Sequence, residues 1–122
     1  MSIEPLVSII LPTHNRADLL YRSIESVKNQ SYPNWELLII DDVSTDNTME
    51  VISQQMGLDS RIKFIQTEKS KVPGISYYLN EGVRNAKGKY IGRIDDDDIW
   101  SHPNKLKKQV NFLEDKIGRA HV

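Results

Sequence analysis

Two short segments, VSIILP (residues 7–12) and ELLIIDD (residues 36–42), carry apolar runs with almost no alternation and many β-branched residues. A strand with one wet face alternates apolar and polar side chains, whereas a strand apolar throughout is buried on both faces. Doubly buried strands belong to mostly parallel sheets with helices on each side, and this constrains the fold more than any other feature of the chain.

The intervening segments fit that frame. THNRADLLYRSIESVKNQ (13–30) places Leu20, Ile24 and Val27 at helical spacing, with Leu19 widening the stripe, Thr13 and Asn15 offering caps, and Pro33 breaking the pattern. STDNTMEVISQQMG (44–57) opens with capping residues and predicts a stripe of Met49, Ile52 and Met56 before Gly57. RIKFIQ (61–66) alternates as a third strand, with Ile62, Phe64 and Gln66 toward one side. VPGISYYLNEGVRNAKG (72–88) predicts a helix from near Pro73 to Gly88, and KYIGRI (89–94) a fourth strand. HPNKLKKQVNFLED (102–115) is a helix with Leu106, Val110 and Leu113 spaced for one face. The expected fold is therefore α/β, a Rossmann-like, mostly parallel sheet with helices on both faces.

The chain's 122 residues suffice for one compact domain. A net charge of −1 gives no electrostatic argument for nucleic acid or an anionic membrane as partner. No apolar run is long enough for a membrane segment, and the N-terminus lacks the pattern of a signal peptide. The absence of cysteine excludes disulfides and thiolate zinc sites and fits a cytoplasmic location. His14, His102 and His121 are too scattered to suggest a metal cluster. The last residues, IGRAHV (117–122), have no periodicity and match the translation of a sequencing adapter, so they are expected to be a non-native tail.

Polar residues collect where the predicted strands end: Pro12, Thr13, His14 and Asn15 after the first, Asp41 and Asp42 after the second, Asp95 through Asp98 after the fourth. In a doubly wound sheet, ligands bind outside the carboxyl ends of the strands, where the winding reverses. A strand order of 3-2-1-4 would bring the PTHN loop and the aspartate run to one crevice, and would leave strand four at an edge open to pairing with other chains. Crowded carboxylates repel one another, and a hard divalent cation, Mg²⁺ or Mn²⁺, relieves that repulsion. In extended chain Asp95 and Asp97 face one way and Asp96 and Asp98 the other. An EF-hand is excluded, because counting from Asp95 places Trp100 and Leu106 where that loop needs glycine and glutamate. Competing readings are a solvated acidic loop, another phosphate-handling α/β enzyme such as a nucleotidyltransferase, and a receiver-type signalling domain with LLIIDD as its acid pair.

In order and spacing, VSIILPTHNRADLLYRSIESVKNQSYPNWELLIIDDVSTDNT and AKGKYIGRIDDDDIWSHPNKLKKQVNFLE resemble the two opening blocks of family 2 glycosyltransferases, inverting enzymes of GT-A fold that use nucleotide sugars. The resemblance spans about residues 6 to 115. It implies a metal-dependent enzyme of polysaccharide biosynthesis. Such an enzyme moves a sugar from a donor such as a UDP-sugar to a glycan or lipid-linked acceptor, at the inner face of the membrane. By the same resemblance, Pro12, Thr13 and His14 line the nucleotide pocket, with His14 in place of the commoner tyrosine. Asp42 accepts from the base, Asp95 and Asp97 form the DxD motif, and Asp97 holds the metal. Asp95 and Asp96 reach ribose or metal-bound water, with Asp95 also a metal candidate. YLN (78–80) departs from the family's ARN, and Lys69, Lys71 or Arg61 could supply the missing cation. The family's catalytic base lies later in the domain, so no residue here is assigned that role. Residues 1–116 are thus expected to be the nucleotide-sugar-binding part of a domain cut after its fourth strand and helix.

Overall fold

A computed structural model describes residues 4–41, 44–65, 67 and 75–120. Its elements alternate as β1 (Val7–Thr13), α1 (Ala17–Lys28), β2 (Trp35–Asp41), α2 (Thr48–Leu58), β3 (Ile62–Ile65), α3 (Ile75–Asn85), β4 (Tyr90–Arg93) and α4 (Lys105–Ala120). The strands form one sheet in the order β3-β2-β1-β4, and every pairing is parallel. The expected strand order and fold class are met, and β4 lies at an edge.

Burial explains why the central strands lack alternation. Every residue of β1 and β2 is buried. Ile9, Leu11, Leu37 and Ile39 enter one core with Leu20, Ile24 and Val27 of α1, Ile52 of α2, and Leu106 and Val110 of α4. Ile10 and Ile40 point to the other face and pack with Tyr78 of α3. Glycine is needed where α3 crosses: a Cβ on Gly82 would lie 2.6 Å from the Ile10 side chain.

Three helix expectations need correction. In α2 the buried positions are Thr48, Ile52 and Gln55, while Met49 and Met56 are 37% and 40% exposed. The stripe sits one position off because polar groups with partners replace the methionines. The Thr48 hydroxyl donates to Asp46, and the Gln55 carbonyl oxygen accepts from Lys28 Nζ at 3.3 Å. Helix α1 starts at Ala17, with neither Thr13 nor Asn15 as its cap, and ends at Lys28, well before Pro33. In α4, Leu106 and Val110 are buried but Leu113 is exposed, and the backbone stays helical to Ala120, past the expected end.

The amino ends of the strands are tied by one buried carboxylate. Glu36 accepts from the Ser8 hydroxyl (2.6 Å), the Lys87 N–H (2.8 Å) and Lys63 Nζ (3.1 Å). The Gly88 N–H in turn donates to Ser8 Oγ at 2.8 Å, and a Cβ on Gly88 would come within 2.6 Å of the Ser8 nitrogen. Burial pushes the Glu36 carboxyl up, but these donors outweigh it and hold it below the usual glutamate range. A carboxyl depressed on folding contributes stability above its unfolded pKa and loses it as pH falls through the folded value. Urea unfolding should therefore show wild type losing stability more steeply than Glu36→Gln as pH falls below 4.5. Parallel pH profiles for the two proteins would contradict this.

Candidate functional site

Because β1 pairs in parallel with both β2 and β4, the segments after all three strands emerge at one edge of the sheet. Pro12 and Thr13 are the last residues of β1 and are buried, while His14 and Asn15 are exposed beyond it. Asn15 has a φ of 49°, in the left-handed region that asparagine tolerates better than most residues. That conformation aims its side chain at the segment after β2. Asn15 Oδ1 accepts from the Thr45 N–H (2.7 Å) and the Asp46 N–H (3.3 Å), and the Asn15 N–H donates to Ser44 Oγ (2.8 Å).

The Ser44 hydroxyl donates to the buried Asp41, tying the segment before α2 to the end of β2. Asp46 accepts from the Thr48 N–H at 3.0 Å and the Ala17 N–H at 3.3 Å, so one carboxylate serves the starts of both α1 and α2. The Thr48 hydroxyl, followed by these amides, holds the Asp46 carboxyl below the usual aspartate range. Asp42 lies outside the described residues.

After β4, the Ile94 N–H donates to the Ile10 carbonyl at 3.1 Å, and the chain then turns. The Asp98 N–H closes onto the Asp95 carbonyl at 3.0 Å. This turn overrides the alternation expected of extended chain. Asp95, Asp97 and Asp98 each offer an oxygen within 4.8 Å of the others, so Asp98 joins the pair predicted from sequence. Asp96 faces away from them and toward the β1 segment. Its carboxylate accepts from Thr13 Oγ1 (3.0 Å) and the His14 N–H (3.4 Å) and lies 3.4 Å from Arg16 Nε. Arg93 grips Asp95 from the other side, with Nη2 and Nε at 2.7 and 2.9 Å from Oδ1.

The far end of this segment is held by the residues just after α1. The Gln30 amide donates to the His102 carbonyl (2.8 Å) and accepts from the Leu106 N–H (3.1 Å), and the Ser31 N–H donates to the Pro103 carbonyl (2.8 Å).

The structure thus brings Pro12, Thr13, His14, Asp95, Asp96 and Asp97 to one edge. Arg61, one of the cations considered for this site, is elsewhere. It precedes β3 at the opposite end of the sheet, paired with Asp59 at 2.8 Å and stacked 3.7 Å above the Trp35 ring. Lys69 and Lys71 lie outside the described residues. Arg16 and Arg93, which sequence reading passed over, are the cations beside the aspartates. Their signal was position alone, each within three residues of a strand end. All-oxygen donors on a tight turn suit a hard cation such as Mg²⁺ or Mn²⁺ and suit a soft metal poorly.

Comparison with known proteins agrees with this geometry. The profile of the family described as glycosyl transferase family 2 matches residues 8–117. The chain belongs to glycosyltransferase family 2. A UDP-Glc:α-D-GlcNAc-diphosphoundecaprenol β-1,3-glucosyltransferase of Escherichia coli, WfgD, is 42% identical over 108 residues, covering 88% of this chain and 41% of the relative. Among solved structures, a mannosyltransferase of Pyrobaculum calidifontis in complex with GDP-Man and Mn²⁺ superposes with a TM-score of 0.80 at 26% identity, over 92% of this chain and 33% of that one. TarS of S. aureus in complex with UDP-GlcNAc gives 0.78 at 27% identity, over 89% and 31%. The chain spans about two-fifths of the length of several curated relatives, WfgD among them. The sheet and these relatives favour neither the nucleotidyltransferase nor the receiver reading. Among the described residues, no helix is long and apolar enough to cross a membrane.

The Asn15 bridge gives a direct test. Asn15→Gly keeps the backbone conformation and loses the bridge, whereas Asn15→Ala loses both. Chemical denaturation should rank wild type above Asn15→Gly, and Asn15→Gly above Asn15→Ala by about 1 kcal/mol. Equal stability of the two variants would remove the left-handed backbone from the account.

Proposed function

We propose that this chain supplies the donor- and metal-binding part of an enzyme that transfers a sugar from a nucleotide-diphosphate donor, a UDP-sugar, to a glycan or lipid-linked acceptor. The single observation that carries the reading is the convergence of Asp95, Asp97 and Asp98 on a turn at the edge where β1, β2 and β4 all end. The UDP-glucose and diphosphoundecaprenol in WfgD's name and the UDP-GlcNAc bound to TarS support the substrate class. The lipid in that name also favours action at the cytoplasmic face of a membrane. Residues 1–116 form the nucleotide-sugar-binding unit in this reading, and 117–122 a non-native tail.

Each side chain then has a physical task. Asp97, exposed at the tip of the turn, is the principal ligand for Mn²⁺ or Mg²⁺, with Asp95 beside it and oriented by Arg93. Once bound, the cation would neutralise charge on the diphosphate and favour its departure. Asp96 serves the nucleotide pocket by fixing its wall. Bonded to Thr13 and to the His14 backbone, it sets the segment whose exposed His14 ring stacks on the base. Pro12 and Thr13 form the floor beneath it, and Asp42 accepts a hydrogen bond from the base.

Thermal unfolding with UDP and Mn²⁺, together and separately, tests the proposal. A ligand at about 100 times its Kd adds about 2.7 kcal/mol to the folded state that binds it. Wild type should be stabilised by the two together and not by either alone, and Asp97→Asn should lose that effect. Equal stabilisation of Asp97→Asn would refute the metal assignment.

A further inference from the structure

Ser23 lies in the middle of α1 and is 0% exposed, so it meets no ligand directly. A buried serine within a helix ordinarily turns its hydroxyl back onto a carbonyl of the preceding turn. Ser26 does so, donating to the Ser23 carbonyl at 2.7 Å. Ser23 instead sends its hydroxyl out of the helix, to the main-chain carbonyl of Asp98 at 2.5 Å, with the Asp95 carbonyl at 3.3 Å. Those two residues begin and end the turn closed by the Asp98 N–H. One hydroxyl therefore ties both ends of the aspartate turn to a helix anchored by Leu20, Ile24 and Val27, each 0% exposed.

We infer that Ser23 is a positioning residue for the metal: it fixes the backbone of the 95–98 turn so that the oxygens of Asp95, Asp97 and Asp98 converge before a cation arrives. The inference rests on the proposed function's reading of that turn as the metal site. Carboxylates within 4.8 Å of one another push the turn open. Ser23 adds no charge to offset them. It resists the spreading mechanically, through the carbonyls at the two ends. A cation meeting a turn already held in place need not supply the free energy of ordering it, which raises affinity. Alanine at position 23 would leave the Asp98 carbonyl without this donor and let the carboxylates drift apart.

The test is Mn²⁺ titration of the isotope-labelled chain with UDP present, reading paramagnetic broadening of the 95–98 amides by NMR. Ser23→Ala should raise the Mn²⁺ concentration for half-broadening about 10-fold, as loss of a group that orients metal ligands does. It should also speed hydrogen exchange at the Asp98 amide. Ser26→Ala, which deletes a buried hydroxyl on the same helix without touching the turn, should match wild type in both. Ser23→Cys, close in size and a weaker donor, should fall between wild type and Ser23→Ala and reports the effect if the alanine variant folds poorly. Wild-type Mn²⁺ affinity in Ser23→Ala or Ser23→Cys, or equal weakening in Ser26→Ala, overturns the role of Ser23 and leaves the metal site standing. No broadening of the 95–98 amides in wild type overturns the metal site and this inference together.

Discussion

The structure depends on β1 being hydrogen-bonded on both sides to parallel neighbours. Parallel pairing sends the segments after β1, β2 and β4 to the same edge, and the winding changes direction at β1, the place where sheets of this kind bind ligands. Because every side chain of β1 and β2 is buried, a one-residue slip would carry polar or bulky groups into the wrong layer. Ser8 and Glu36 are the polar residues at the amino ends of those strands, and they sit opposite each other, bonded to each other and to the turn before β4. The amino end of the sheet is locked, and the carboxyl end is free to carry chemistry.

At that carboxyl end, the problem is to hold several carboxylates close without letting them scatter. The chain solves it by giving the acids different partners. Asp41 accepts from Ser44, Asp46 serves two helix starts, and Asp96 joins the aspartate turn to the β1 segment. Asp95, Asp97 and Asp98 are left to converge. Helix α1 organises much of this. Its start is held by Asp46, its middle reaches the aspartate turn through Ser23, and the residue two beyond its end, Gln30, anchors the start of α4.

Much of this was legible in the sequence. The unbroken apolar runs of β1 and β2 announced doubly buried parallel strands, and the polar clusters at three strand ends do come together at one edge of the sheet. The helix faces were harder to read. Methionine in α2 counted as core because it is apolar, yet Thr48 and Gln55 took the buried positions once Asp46 and Lys28 satisfied them. Alternation misplaced Asp98 because it assumes extended chain, and a single backbone hydrogen bond from Asp98 to Asp95 is enough to bend it. Spacing along the chain does not tell which end of the sheet Arg61 occupies. Only the register of β3 shows that it belongs to the opposite end of the sheet. Ser23 carried no signal, since a serine in an amphipathic helix looks the same whether its hydroxyl turns inward or outward.

The most direct test of the central claim, that the aspartate turn at this edge is a metal–diphosphate site, is a crystal structure of the chain with UDP and Mn²⁺, with manganese located by anomalous scattering. The expected result is one manganese on the Asp97 carboxylate, beside the UDP diphosphate. Manganese elsewhere, or UDP bound in the crevice with no metal at the turn, would contradict it.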